Sequence, residues 1–296
     1  MAALPSKAGK RPRIAWSAVL LSLPALLVVL ALFVYPFIFG LNLSLQNVDG
    51  TGPTLVNYSS FFSDPSQIDT LRITFWVSLP VTIFTLVVCT PLAYLMRQGI
   101  KFERLITILL ILPMTLGTVM VAQAMERYFG PVGWFNQFLT WLHLISSPLV
   151  LTHNWLGVEI GLFILGFPFV FLLLVGYMSA ISPDLERASR MLGANSWQTF
   201  WRVVFPLSLP GILVAFCLNF VANFGVFPTA ELVGDPSGTT HVLSIAAYDA
   251  FSNNNWPQAT AIALIMGALE LLVIVLILWL RGRIVRGSVS GGVKGA

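Results

Sequence analysis

Long apolar runs separated by short polar stretches set the rhythm of this chain. Six runs, at roughly 14–40, 70–96, 105–125, 156–178, 207–231 and 259–280, each reach the ~20 residues that a helix needs to cross the hydrocarbon core. None alternates apolar and polar residues strictly, as the strands of a membrane barrel would. The pattern therefore predicts an all-α, polytopic membrane protein with six transmembrane helices, hereafter spans one to six. The first run is longer than a signal-peptide core and no small-residue cleavage site follows closely, so it reads as an uncleaved helix.

Between spans four and five the pattern changes. The segment 182–206 carries helix punctuation and charge rather than a continuous apolar run. Ser182 is placed to cap a helix with Pro183 at its first position, where a missing N–H costs nothing. Leu185, Ala188, Met191 and Leu192 share one face of that helix, with Glu186, Arg187 and Arg190 on the other. Gly193 suits its end. Asn195 and Gln198 then have the spacing of a capping box, and Trp197, Phe200, Trp201 and Val204 repeat at helical spacing. Pro206 and Pro210 are expected to break this second helix before span five. The segment reads as a water-exposed elbow built to meet a partner.

Composition agrees with a bilayer location: 57% of residues are hydrophobic and 9% charged, against about 25% charged in ordinary soluble domains. Basic residues fix the orientation, because short Lys- and Arg-rich loops stay in the cytoplasm. Lys7, Lys10, Arg11 and Arg13 precede span one, Arg97, Lys101 and Arg104 follow span two, and Arg187, Arg190 and Arg202 lie in the elbow. Arg281, Arg283, Arg286 and Lys294 follow span six, which leaves Arg72 and Arg127 opposite. Both termini are thus expected in the cytoplasm: a basic N-terminus at 1–13, a membrane domain at 14–281 and a tail at 282–296. The outer loops, about 41–69, 126–155 and 232–258, hold Trp134, Trp141, Trp155 and Trp256, residues suited to the membrane interface. A helix lying along the surface is expected near Phe135 to Leu144.

Chemistry is sparse. No phosphate-cradling G-x-x-x-x-G-K-[ST] occurs, so ATP hydrolysis by that route is excluded and no cofactor is expected in this chain. His143, His153 and His241 lack paired metal-ligand spacing, no G-x-S-x-G is present, and no nucleic-acid partner is expected. Cys89 and Cys217 fall inside spans and form no redox motif. Polar residues within the spans are the stronger signal, since they are costly there and mark bundle interiors or solute paths. Asn219 and Asn223 lie one turn apart in span five, and Glu270 sits within span six. Gln123, Glu159 and Glu231 lie toward outer ends. The Asn pair either bonds between helices or lines a path, and Asn219, Asn223, Glu270 and Gln123 are the path candidates.

The stretch "LERASRMLGANSWQTFWRVVFPLSLPGI" resembles the E-A-A…G loop of permease subunits of bacterial ABC importers, in the form found in the spermidine/putrescine branch. The family's Gly falls on Gly193, followed by Ala194, and its later proline on Pro206 or Pro210. The family's Glu position holds Arg187, with Ala188 and Ser189 after it and Glu186 adjacent. "TPLAYLMRQ", "LTHNWLGVEIGL" and "NNNWPQATAIAL" look like the same branch, so the resemblance covers nearly the whole chain. It implies a type I importer permease fold in the bacterial inner membrane and half of a translocation path for a polyamine-like or related small solute. It also implies a second permease subunit, two ATPase subunits that use ATP and Mg, and an extracytoplasmic substrate-binding protein. On that reading Leu185, Glu186, Arg187, Ala188, Arg190, Gly193, Ala194 and Trp197 contact the ATPase. An ion-driven secondary transporter or channel is the competing reading; its usual marks, internal repeats or helices broken near the midplane, are not evident in the sequence.

Overall fold

The computed structural model describes residues 16–47, 52–99, 101 and 103–289, with side chains from 23 to 280. The basic N-terminus at 1–13 and residues 290–296 of the tail lie outside the described residues. Span one comprises α1 (Trp16–Val29), a π-turn at Leu30–Val34 and α2 (Tyr35–Ser44), joined without leaving helical geometry. After α3 (Val56–Ser63), span two is α4 (Pro65–Arg97). Asp64 caps α4, and bonds from the Ser66 hydroxyl and amide hold its carboxyl below the usual carboxylate range.

Span three differs from its expected form. It consists of α5 (Glu103–Thr115) and α6 (Thr118–Phe129), and the axis turns by 103° between Glu103–Thr115 and Thr118–Trp141. The physical reason is Gly117, whose φ of 74° is left-handed and open to glycine. Pro113 sits one turn earlier, where it removes a backbone donor. The expected continuous helix at 105–125 is therefore a broken one, and the described residues hold five unbroken helices long and apolar enough to cross a membrane, or six with this pair. The expected surface helix is α7 (Trp134–Trp141), with both terminal Trp rings exposed.

Span four is α8 (Trp155–Ser179). The elbow follows as α9 (Pro183–Met191) and α10 (Ser196–Thr199), the latter running through a π-turn at Phe200–Val204 into α11 (Phe205–Phe224). Pro206 and Pro210 do not break this helix, contrary to the sequence expectation. Proline clashes with the carbonyl four residues back; the wider turn before Pro206, closed by the Phe205 amide on the Phe200 carbonyl, absorbs that conflict. The same device precedes Pro36 in span one. Span five thus runs from Ser196 to Phe224 rather than over 207–231, and Glu231 falls in the separate α12 (Pro228–Leu232). After α13 (Leu243–Ser252), span six is α14 (Trp256–Val289), so the helix runs past the expected start of the tail.

The bundle is organised around α4, which packs on both α8 and α11, while α2 packs against α14. An inner core joins Cys89 and Tyr94 of α4, Leu174 and Met178 of α8, and Phe200 and Val204 below α11. An outer core joins Phe220 and Phe224 to Leu243 of α13 and Ile262 of α14. Thr74, Thr82, Thr85 and Thr90 of α4 return their hydroxyl protons to carbonyls four residues back. Thr74 and Thr82 keep an oxygen free to accept from neighbours.

Spans four and five pack closely at Gly211, where a Cβ would overlap the Tyr177 ring. Gly211→Leu should therefore lower the melting temperature of the detergent-solubilised protein, with an overpacking cost of about 1–3 kcal/mol. Gly176→Leu, at a site with open space, should not. Equal melting of the two variants would show that this contact does not limit packing.

Candidate functional site

The elbow is fixed by its own hydrogen bonds. Ser182 accepts from the Asp184 amide, and the Asn195–Gln198 capping box is complete in both directions. Between them Gly193, with φ at 86°, donates to the Arg190 carbonyl while Ala194 donates to Ser189. That is the Schellman arrangement, in which a left-handed residue satisfies the last carbonyls of a helix. A side chain at 193 would meet no neighbour, so the demand for glycine is conformational. The Ser189 and Thr199 hydroxyls, 3.2 Å apart, close the angle between the two halves.

Charge is distributed differently from the sequence expectation. Glu186 does not share the exposed face of Arg187 and Arg190. It turns inward, with its side chain 12% exposed, and pairs with Arg97 at the end of span two at 2.5 Å. Tyr94 donates to its other oxygen at 3.3 Å, and Arg190 stands 3.9 Å from that oxygen. Arg97 also donates to the Ile181 carbonyl beyond α8. The reason is helical geometry: α9 lies across the end of span two, and position 186 is the one that faces it. Arg187 pairs with Asp184 in the open, at 3.0 Å.

The apolar face looks outward instead. Met191 is 88% exposed, Leu192 89% and Trp197 69%, with Leu185 and Ala188 also exposed. Phe200 and Val204 are buried in the inner core and Trp201 is partly covered, so the second aromatic stripe divides between core and surface. Ala194 is half-buried at the joint.

Of the intramembrane candidates, Asn219 and Asn223 come together and the others do not. Both line a cavity of about 360 Å³ bounded by Pro113 and Gly117 at the break in span three, and by Phe169 and Thr229. Asn223 donates to the Thr82 hydroxyl of span two at 2.9 Å, buried. Asn219 is 1% exposed, yet among the described residues neither atom of its amide finds a partner, and the Thr229 hydroxyl is equally unpartnered. Gly166 makes room for that amide, since a Cβ there would lie 2.5 Å from Asn219 Oδ1. Glu270 is half-buried and lines a different crevice, between spans one and six; its Oε1 lies 3.7 Å from where a side chain at Gly225 would begin. Gln123 is exposed on α6, apart from both. Thr82, the span-three break and the inward role of Arg97, which charge placement marks only as a basic residue after span two, are not singled out by the pattern. The Thr/Ser residues at 70, 74, 78 and 82, four apart on span two, were the available signal for Thr82.

The fold has solved counterparts. It superposes on a chain of a bacterial ABC transporter involved in the import of the acidic polysaccharide alginate with a TM-score of 0.77 at 20% identity, covering 90% of this chain and 96% of that one. A chain of the MetNI methionine ABC transporter gives 0.53 at 19% identity, over 74% and 94%. In sequence, the spermidine/putrescine transport system permease protein PotB of Haemophilus influenzae is 28% identical over 75% of this chain and 77% of its own length. PotB of Escherichia coli is 28% identical over 80% and 86%, and the sulfate transport system permease protein CysT of Escherichia coli is 25% identical over 79% and 83%. Residues 90–287, which hold the elbow, the cavity and the Arg97–Glu186 pair, match the family described as binding-protein-dependent transport system inner membrane component. The all-α bundle, its broken third span and its protruding elbow are the ABC importer permease fold, and this chain belongs to that family of inner membrane transport components.

Proposed function

We propose that this permease forms half of a translocation path and is driven through the 182–206 elbow by a separate ATPase, which binds ATP and Mg and acts beside a second permease subunit and an external solute-binding protein. The observation that carries the proposal is the apolar patch of Met191, Leu192 and Trp197, exposed on an elbow that continues directly into span five. Removing such side chains from water is worth about 25 cal/mol per Å². The exposed Arg187–Asp184 pair contributes only ~0–1 kcal/mol. Docking therefore rests on the apolar patch, with Leu185, Ala188, Arg187 and Arg190 around it, while Gly193 and Ala194 hold the angle. A docked ATPase requires the elbow, and with it both termini, on the cytoplasmic side, as the basic residues also favour. The substitution pair Met191→Asp and Leu192→Asp should cut co-purification of the ATPase by on the order of tenfold while membrane insertion is unchanged. Undiminished capture would remove the patch from the interface.

Topology is separately testable. A single cysteine at Gly238, in the loop before α13, should react with an impermeant thiol reagent in intact cells, whereas one at Lys10 should not. Labelling at Lys10 would place the terminus outside.

The path on this reading passes the cavity beside Asn219. Its buried amide offers donors and an acceptor that no group among the described residues uses, available to solute or its water. A polyamine-like cation is favoured over an anion: Glu159 and Glu270 lie in the spans, and no Lys or Arg occurs in Trp155–Ser179, Phe205–Phe224 or Trp256–Leu280. Asn219→Leu should lower putrescine uptake without loss of stability, whereas Asn223→Leu should also cost about 0.5–1.5 kcal/mol by losing its bond to Thr82. Uptake measured beside thermal unfolding separates the two. Normal uptake by Asn219→Leu would place the path elsewhere.

A further inference from the structure

We infer that Arg97 is a positioning residue that makes span two, and not only spans four and five, follow the elbow. The inference rests on the importer reading above. Covalently, the elbow belongs to two spans: α9 follows α8 after a short turn, and α10 is continuous with α11. Span two lies far away in sequence and has no such connection. What joins it to the elbow is the Arg97–Glu186 pair, with side chains only 8% and 12% exposed. Burial leaves such a pair little screened by salt. Arg97 grips at two points, Glu186 of α9 and the Ile181 carbonyl just before it. Tyr94, one turn back, adds its hydroxyl to the same carboxylate and its ring to Phe200, at 4.9 Å between centroids.

Higher in the bundle, spans two and five meet again where Asn223 donates to Thr82. Span two is therefore tied twice to the elbow helix system, once at its cytoplasmic end and once beside the cavity. Span two also packs along α8 and α11, but the lower tie is its direct polar link to α9, so a push on α9 reaches span two fully only while that tie holds.

Arg190 gives the tie an alternative. It lies one turn from Glu186 on the same helix, 3.9 Å from its carboxylate and beside the Tyr94 hydroxyl, placed to take over the carboxylate if Arg97 is lost. The elbow then stays folded and charge-satisfied but keeps only the weaker Tyr94 contacts to span two. This separates positioning from folding, because breaking a buried pair otherwise leaves an uncompensated charge.

The test uses the complete transporter with its ATPase, reconstituted in liposomes and supplied with loaded binding protein. Arg97→Gln should retain ATPase capture and basal hydrolysis, while solute-stimulated hydrolysis and uptake fall by on the order of tenfold. The exchange Arg97→Glu with Glu186→Arg should recover most of the stimulation. Spin labels at Gln98 and Arg187 should give one narrow distance in the parent, with and without ATP, and a broadened one in Arg97→Gln. Wild-type stimulation in Arg97→Gln would overturn the inference, as would failure of both variants to assemble, since the pair would then be only a staple of the fold. If the parent chain itself captures no ATPase, the importer reading fails, and that outcome is distinct from either.

Discussion

A bilayer interior supplies no hydrogen-bond partners, so every polar group placed there must be satisfied by the chain or by what the chain carries. That constraint accounts for the buried face of span two. Its threonines donate to their own helix and keep an oxygen free, which lets them receive Asn223 from span five and the Leu243 amide from α13. Polar residues thus knit three elements together, although the buried Ser78 hydroxyl on the same face has no partner among the described residues. Against this background the unpartnered Asn219 amide stands out, and it lies where the third span is broken and the helices part.

The elbow obeys the opposite rule. It lies where water is available, yet it buries its carboxylate and exposes its methionine and leucine. The carboxylate is drawn inward by an arginine at the end of another span, and the apolar side chains stay exposed, as the proposed docking on an ATPase requires.

Much of this was legible in the sequence, and what was not has identifiable causes. Run lengths gave the spans, and caps gave both ends of α9 and the start of α10, because Ser182, Gly193, Asn195 and Gln198 act locally. Periodicity misplaces Glu186 because it assigns faces relative to one another and says nothing of a neighbour 89 positions away in the chain. The break at Gly117 was hidden inside an apolar run, where a glycine's φ leaves no trace in hydropathy. Pro206 and Pro210 have the look of breakers because proline usually is one; the π-turn that accommodates Pro206 has no signature in residue type, and Pro210 sits within α11 itself. Asn219 and Asn223, one turn apart, proved to differ, since only one finds a threonine opposite.

The π-turn at Phe200–Val204 has a geometric corollary. A π-turn holds one residue more than the α-turn it replaces, and one residue is about 100° of rotation about an α-helix axis. The azimuth at which α10 leaves span five, and hence the compass direction in which the Gly193 joint points, is set by that single extra residue. Loss of one residue from 200–204 would both return the Pro206 ring to its clash with the carbonyl four residues back and swing the elbow to face a different direction.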